Sequence, residues 1–323
     1  MLYCTEFRTK IQDYFTKKPT KNVILYYSFG LIQGHAFLSG MTRTLQKGMN
    51  IMNKGILWDC HMHSSFSADS PTPMEKMVTA AIKCGLEGIC FTEHLDPDYP
   101  ATPESLDFSL DICTYKASLF SLKEKYSDRI QIRYGIELGL QPHLADYFCQ
   151  LLAGEPFDFV IGSSHVVHGF DPYYPEFYKD RREFSCYMEY FESILENLSV
   201  IHSMDVYGHL DYIVRYGPRK NQEYSYGRYQ DILDEILKTI LEKGMGIELN
   251  TGGYHYSLGE PNPCTAVIRR YRQLGGEIIT IGADAHTPDK IGFAFDQAAA
   301  VLKECGFSYY TVFKERKPEF IKL

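Results

Sequence analysis

The chain has 323 residues, 45% hydrophobic and 23% charged, enough apolar material for one large α/β domain or two small ones. A net charge of -8 argues against a polynucleotide binder that relies on a basic surface, but leaves a small anionic substrate open, because metal ions can supply local positive charge. The nine cysteines are scattered, odd in number and contain no Cys-x-x-Cys pair, so reduced thiols in a cytoplasmic protein are expected rather than a disulfide framework.

Residues 1–51 differ in character from the rest of the chain. Asn22 to Thr42 carries no charged residue and is preceded by Lys17, Lys18 and Lys21, the outline of a weak signal or anchor. Ser28, Gly30, Gln33, Gly34, His35, Ser39 and Gly40 interrupt the apolar run, so no membrane role is expected. Met49 or Met52 offers an alternative start. Residues 1–51 are therefore read as an extension outside the fold, and 52–323 as one domain.

From residue 56 the chain alternates near-continuous apolar runs, the pattern of parallel strands buried on both faces, with amphipathic stretches. The first strand, Ile56–His61, runs into Asp59-Cys60-His61-Met62-His63, with Asp69 close behind. Side chains alternate along a strand, so Asp59, His61 and His63 share a face, and two imidazoles at that spacing can hold one metal ion. A helix is expected over Pro73–Cys84, with Met74, Met77, Val78 and Ala81 on one stripe and a stop at Gly85. The second strand, Gly88–His94, ends in Thr92-Glu93-His94, and a helix over Leu106–Tyr126 follows. The third strand, Gln131–Leu138, holds Gly135-Ile136-Glu137 and precedes a short helix, Leu144–Leu152. The fourth, Phe157–Ser164, leads into His165 and a helix over Phe184–Leu198. The fifth, Val206–Ile213, holds Gly208-His209-Leu210-Asp211, and Tyr229–Lys243 follows as a helix stopped by Gly244. The sixth, Gly246–Asn250, is followed by Thr251-Gly252-Gly253 and a helix over Pro263–Leu274. The seventh, Glu277–Ala283, runs into Asp284-Ala285-His286 and a last helix, Asp289–Cys305. The apolar tail Pro318–Leu323 is expected to pack on the domain. Seven such repeats point to a parallel α/β barrel or a doubly wound sheet.

The strand ends carry the chemistry. Six of the eleven histidines, His61, His63, His94, His165, His209 and His286, fall there, together with Asp69, Glu137 and Asp284. The C-terminal ends of barrel strands are where active sites form. Nine imidazole and carboxylate groups suit Zn, Mn or Fe and not a thiolate site. They are too many for one four-coordinate ion and about right for two or three, whose surplus charge would favour a phosphate dianion and a nucleophilic hydroxide. No Gly-x-Ser-x-Gly elbow, phosphate-binding Gly-rich loop or His-Glu-x-x-His helix competes with this reading.

These motifs, taken together and in order from residue 56 to about 300, resemble the PHP (polymerase and histidinol phosphatase) superfamily, and within it the monofunctional histidinol-phosphate phosphatases. The stretches His63–Ser70, Gly208–Arg215 and Glu248–Gly253 carry the closer likeness, with Asp69 where many relatives have His. The resemblance implies a distorted seven-stranded (β/α)7 TIM-like barrel and three divalent ions. One ion would sit on His61, His63, Glu137 and Asp284. A second would share Glu137 and add His165 and His209. A third would use Asp69, His94 and His286. It further implies hydrolysis of L-histidinol phosphate in histidine biosynthesis, with a hydroxide near Glu137 as nucleophile. Alternatives are a PHP-family phosphoesterase acting on nucleotides or nucleic acid, and a non-catalytic metal-binding domain. One departure is Tyr254-His255-Tyr256, where many relatives have an apolar or basic pair.

Beyond the ligands, Asp59 and Asp211 are expected to orient ligand histidines from behind. Arg215 and Tyr254 are expected to bind substrate, Arg215 through the phosphate. His168 and His255 are candidates for protonating the leaving alkoxide, and His168 also for substrate contact. Glu93, Asp96, Asp98, Asp171, Tyr173 and Tyr174 are read as rim acceptors for the substrate's amine and imidazole. The expected partner is a small phosphate monoester, with no nucleic acid or membrane, and the oligomeric state is left open.

Overall fold

A computed structural model describes residues 55–101 and 106–323; the expected extension, 1–51, lies outside the described residues. Asn53–Leu323 is one compact unit. Its centre is a parallel sheet built from β1 (Trp58–Met62), β2 (Gly88–Phe91), β3 (His94–Leu95), β4 (Gln131–Gly139), β5 (Phe159–Ser163), β6 (Val206–Tyr207), β7 (Gly246–Asn250) and β8 (Ile279–Gly282). The strand order is β1-β2-β4-β5-β6-β7-β8. The two-residue β3 resumes the line of β2 beside β4, setting His94 opposite Glu137. Within these strands only Gln131 is exposed, which is why the sequence shows continuous apolar runs rather than alternation.

The sheet curls until β8 meets β1, and the seam is made at the C-terminal ends. Asp284 N–H donates to His61 O at 2.9 Å, and His63 N–H donates to Ala285 O at 3.0 Å. Asp59 completes the seam, accepting from Ala283 N–H at 2.9 Å and Gly292 N–H at 3.0 Å. Its carboxylate thus takes backbone donors across the closure and makes no bond to a histidine ring, which corrects the role expected of it. Burial pushes its pKa up to about 6 despite these donors. The result is the distorted seven-stranded barrel expected from the family resemblance.

Eight α-helices are described: α1 (Met74–Lys83), α2 (Ile112–Lys125), α3 (Ala145–Gly154), α4 (Glu183–Val200), α5 (Gln230–Glu242), α6 (Gly252–His255), α7 (Thr265–Gln273) and α8 (Phe295–Glu304). They lay apolar stripes on the barrel; α5, for example, buries Ile232, Leu233, Ile236, Leu237 and Ile240. Two helices start about six residues later than expected. The α2 helix begins only where Asp111 caps Thr114 N–H, because Phe108 O is taken by Asp96 N–H and Asp107 turns back onto Ser109 N–H. The α8 helix is delayed by Gly292 and Ala294, which both hold positive φ.

The tail forms an antiparallel hairpin, β9 (Tyr309–Lys314) and β10 (Lys317–Lys322). Its turn reaches the N-terminal end of the barrel. Arg316 Nε donates to Asp205 at 2.6 Å, and Glu315 N–H donates to Asp158 at 3.0 Å, each aspartate lying just ahead of a strand. Among the described residues no helix is long and apolar enough to cross a membrane.

Candidate metal centre and cleft

Strand geometry aims the side chains inward. His61 lies next to the end of β1 and His63 just beyond it, two residues on, so both rings face the barrel mouth, with their Nε2 atoms 3.1 Å apart. Glu137, near the end of β4, is fully buried beneath them. Its Oε2 lies 3.2 Å from His61 Nε2, 3.5 Å from His63 Nε2 and 3.1 Å from His94 Nδ1. Its Oε1 lies 2.9 Å from His209 Nε2 and 3.4 Å from His165 Nε2, and accepts the Ser163 hydroxyl at 2.7 Å. One carboxylate therefore touches five imidazoles. Asp284, turned inward at φ 56°, sets Oδ1 within 3.6 Å of His61 Nε2 and 3.5 Å of His63 Nε2. Asp69 Oδ2 lies 3.0 Å from His286 Nε2 and 3.6 Å from His94 Nε2. The structure thus brings all nine expected groups into one cluster.

Other carboxylates orient the rings from behind. His61 Nδ1 lies 2.6 Å from Glu248 Oε1, and His165 Nδ1 lies 2.7 Å from Asp96 Oδ1. His63 Nδ1 meets Ser67 Oγ at 3.2 Å, and that hydroxyl donates to Glu93 at 2.6 Å. These contacts fix which nitrogen faces the centre. Closure of the barrel leaves no room for a side chain at Gly282, where a Cβ would come within 2.3 Å of His61 Cβ and 2.4 Å of Glu248 Oε1. Glu93 therefore backs a histidine rather than serving as a rim acceptor: it is fully buried and also takes Ser64 N–H and Oγ–H. Asp96 backs His165 and also lines the cleft. Asp211 touches no imidazole: it accepts from Asn262 Nδ2 at 2.6 Å and Cys264 N–H at 2.9 Å, which corrects the expectation placed on it. The orienting role of Glu248 is not among the sequence expectations, although a carboxylate between Ile247 and Leu249 in a buried strand is a visible signal.

The electrostatics of the cluster centre on Glu137. Burial would raise the pKa of Glu137, but the imidazoles around it, His61 foremost, hold it well below the carboxylate range. Burial, with the neighbouring His94 and His286 rings, pushes His63 down to about 3, so it is a neutral donor at pH 7. His94 Nδ1, His209 Nδ1 and His286 Nε2 are buried without a hydrogen bond of acceptable geometry. Four sets of three side chains place ligand atoms within 4.8 Å of one another: His63, His94 and His286; His61, His209 and Asp284; His61, His63 and Glu137; and His94, Glu137 and His165. An all-nitrogen-and-oxygen donor set with unsatisfied imidazoles fits divalent cations.

Above the cluster opens a cleft of about 440 Å³, the size of a small-molecule site. Tyr99, Phe108, Tyr173, Tyr212, Tyr216 and Tyr256 make much of its wall. Asp171 is the wall carboxylate that faces phenols: it accepts Tyr99 O–H at 2.5 Å and Tyr173 N–H at 2.7 Å. Arg215 is buried against the floor, with Nη1–H donating to Asp284 Oδ2 at 2.9 Å. His255 lines the cleft. His168 and Tyr254 do not. A left-handed turn at His168 and Gly169 sends the His168 ring back onto α4, between Glu189 at 2.9 Å and Glu196 at 3.0 Å. Asp98 is likewise outside the cleft lining, paired with His143 at 3.0 Å.

Residues 59–252 match the PHP domain family model. The chain is 34% identical over 260 residues to a protein named histidinol-phosphatase from Lactococcus lactis, covering 80% of this chain and 95% of that one. A relative from Clostridium acetobutylicum is 32% identical over 265 residues, 81% of this chain and 98% of its own. Among solved structures, a Lactococcus lactis histidinol phosphate phosphatase, complexed with zinc, L-histidinol and phosphate, superposes with a TM-score of 0.75 at 33% identity, covering 81% of this chain and 98% of that one.

Proposed function

This chain belongs to the PHP domain family, and from that membership we infer that it is a metal-dependent phosphatase that hydrolyses L-histidinol phosphate to L-histidinol and phosphate. The observation that carries the reading is Glu137 in contact with five imidazoles at the floor of a cleft sized for a small molecule. The reaction belongs to histidine biosynthesis and to the cytoplasm, where the eight cysteines of the described residues, all free, would stay reduced.

Three divalent ions are proposed, of Zn, Mn or Fe. His61, His63, Glu137 and Asp284 would hold one, Glu137, His165 and His209 a second, and Asp69, His94 and His286 a third. His94 has one ring nitrogen toward Glu137 and the other toward Asp69, so it stands between the last two sites. When bound, such ions supply Lewis acidity to phosphoryl oxygens and make water acidic enough to act as a nucleophile near neutral pH.

The chain's own residues do the rest. Glu137 is the charge that keeps the floor ligands together. Arg215 has two N–H bonds beyond the three fixed by Asp284, Asn250 and Asn262, and presents them to a phosphoryl oxygen. Asp171 accepts the substrate's ammonium, and the tyrosine wall packs on its imidazole. His255 is the candidate that stays in the cleft for protonating the leaving alkoxide. Burial and Lys290 lower its pKa in the free protein, and an arriving phosphate dianion would reverse that shift, so protonation accompanies substrate.

Because every phosphate monoester offers the metals the same dianion, selection has to come from this wall. We expect kcat/KM for histidinol phosphate to exceed that for any nucleoside monophosphate by roughly a hundredfold, the scale of a few kcal/mol of differential contact. A nucleotide turned over equally well would move the assignment to a nucleotide-directed phosphoesterase. Anomalous scattering from metal-loaded crystals should show three peaks, and a single isolated peak would refute the trinuclear site.

A further inference from the structure

Arg215 is held by three acceptors from three places in the chain. Its Nη1–H donates to Asp284 Oδ2, its Nη2–H to Asn250 Oδ1 and its Nε–H to Asn262 Oδ1, each at 2.9 Å. Asp284 and Asn250 sit at strand ends and are fixed by the barrel itself. Asn262 comes from the segment between α6 and α7. That segment is pinned by two backbone bonds, Asn250 N–H to Asn262 O at 2.8 Å and Asn262 N–H to Asn250 O at 2.9 Å. The amide is fully buried, and its orientation is set from the far side, where Nδ2 donates to Asp211 at 2.6 Å. A buried chain of alternating character results: carboxylate, amide, guanidinium, carboxylate.

Two glycines make the approach possible. A Cβ on Gly253 would lie 2.3 Å from Glu260 O and 2.8 Å from the Pro261 carbonyl carbon, so any side chain there would push the 260–262 segment away. A Cβ on Gly252 would lie 2.7 Å from Asn250 Oδ1 and 3.0 Å from Arg215 Nη2. The Gly252-Gly253 pair thus serves the arginine rather than a turn.

We propose that Asn262, admitted by Gly253 and anchored by Asp211, is a positioning residue that fixes the Arg215 guanidinium for phosphate. The proposal rests on the reading of the cleft as a phosphate-ester site. Losing the amide leaves Arg215 Nε–H without its acceptor in a buried place, and frees the guanidinium to tilt toward Asp284.

The test is calorimetric binding of inorganic phosphate to the metal-loaded full chain, which needs no turnover and so does not depend on the identity of the ester. Hydrolysis of histidinol phosphate is followed alongside, so that failure of the substrate assignment shows separately in the wild-type protein. Asn262→Ala is expected to weaken phosphate binding about tenfold, the loss of one charge-assisted hydrogen bond, with metal content unchanged. In an Arg215→Ala background, Asn262→Ala should have no further effect on phosphate affinity, whereas a merely structural role would add a second loss. If Asn262→Ala does not fold, Gly253→Ala takes its place, with the same expected fall and the same full metal content. Phosphate affinity within twofold of wild type, a loss that only tracks loss of metal, or additivity with Arg215→Ala would each overturn the proposal.

Discussion

Glu137 shows what a single side chain can be asked to do. Both its oxygens face imidazoles, Oε2 those of His61, His63 and His94 and Oε1 those of His165 and His209. Glu137→Gln keeps the shape and removes the charge, so one face of the amide would present N–H groups where lone pairs are needed. We expect the variant to lose at least one metal ion and to turn over roughly a hundredfold more slowly or worse, the scale seen when a charge-stabilising group is removed. Elemental analysis beside a steady-state assay decides it, and full metal with near-normal turnover would refute it. Glu248 acts one step further back, through His61 Nδ1. Glu248→Gln should weaken metal retention against a chelator by about 10–100-fold, the usual cost of losing a carboxylate behind a metal-bound histidine. An unchanged chelator profile would remove it from that role. Eight of the nine clustered groups are legible in the sequence because each is a polar residue at or near the end of an apolar run, and Asp69 follows the first of those runs by a short loop. Asp59 and Asp211 mislead because closeness in sequence to His61 and His209 suggests a contact that the backbone path denies. Asn262 and Arg215 are separated by 47 positions, and nothing local tells that they meet.

At the scale of elements, the strand runs are legible to within a few residues because burial on both faces leaves an unbroken apolar signature. The starts of α2 and α8 are not, since a capping aspartate and two positive-φ residues decide them. The loop between β5 and α4 depends on one side chain for its clasp to the helix. It carries Asp171, Tyr173 and Tyr174 into the cleft wall, and it is clasped to α4 by His168 between Glu189 and Glu196, with Arg181 also paired to Glu189. Hydrogen bonds that the ring donates to Glu189 and then to Glu196 raise the pKa of His168. A histidine whose folded pKa is raised gives its full stabilisation below its unfolded value, about 6.5, and loses it as pH rises through the folded value. His168→Gln should therefore lower stability relative to wild type at pH 5.5 and match it at pH 9.5, in urea unfolding at the two pH values. The ring is half exposed, so the difference will be small. Equal destabilisation at both pH values would mean that packing, not charge, holds the clasp.

At the scale of the whole molecule, the described residues close the barrel on themselves. The buried core among the described residues begins at Ile56. The seam between β8 and β1 is made by His61, His63, Asp284 and Ala285, with Asp59 bridging from the side. The start of the described residues is also tied to the end of the chain, since Leu57 N–H donates to the Tyr310 hydroxyl at 3.3 Å on the first strand of the terminal hairpin. That hairpin in turn reaches the bottom of the barrel through Arg316 and Asp205. Every group proposed to bind metal or substrate lies after residue 58. We propose from this that 52–323 is the catalytic domain and 1–51 an extension to it. A chain beginning at Met52 should be soluble, unfold cooperatively, bind the same number of metal ions and hydrolyse histidinol phosphate with unchanged kcat/KM. A chain ending at Ser308 should fail on all counts, because it removes the partner of Leu57 and uncovers Phe159, whose ring stacks on Phe313 at 5.1 Å. The two truncations are compared by thermal unfolding and metal content. If the chain from Met52 were insoluble or inactive while the chain to Ser308 survived, the boundary would be wrong and the extension would belong to the domain.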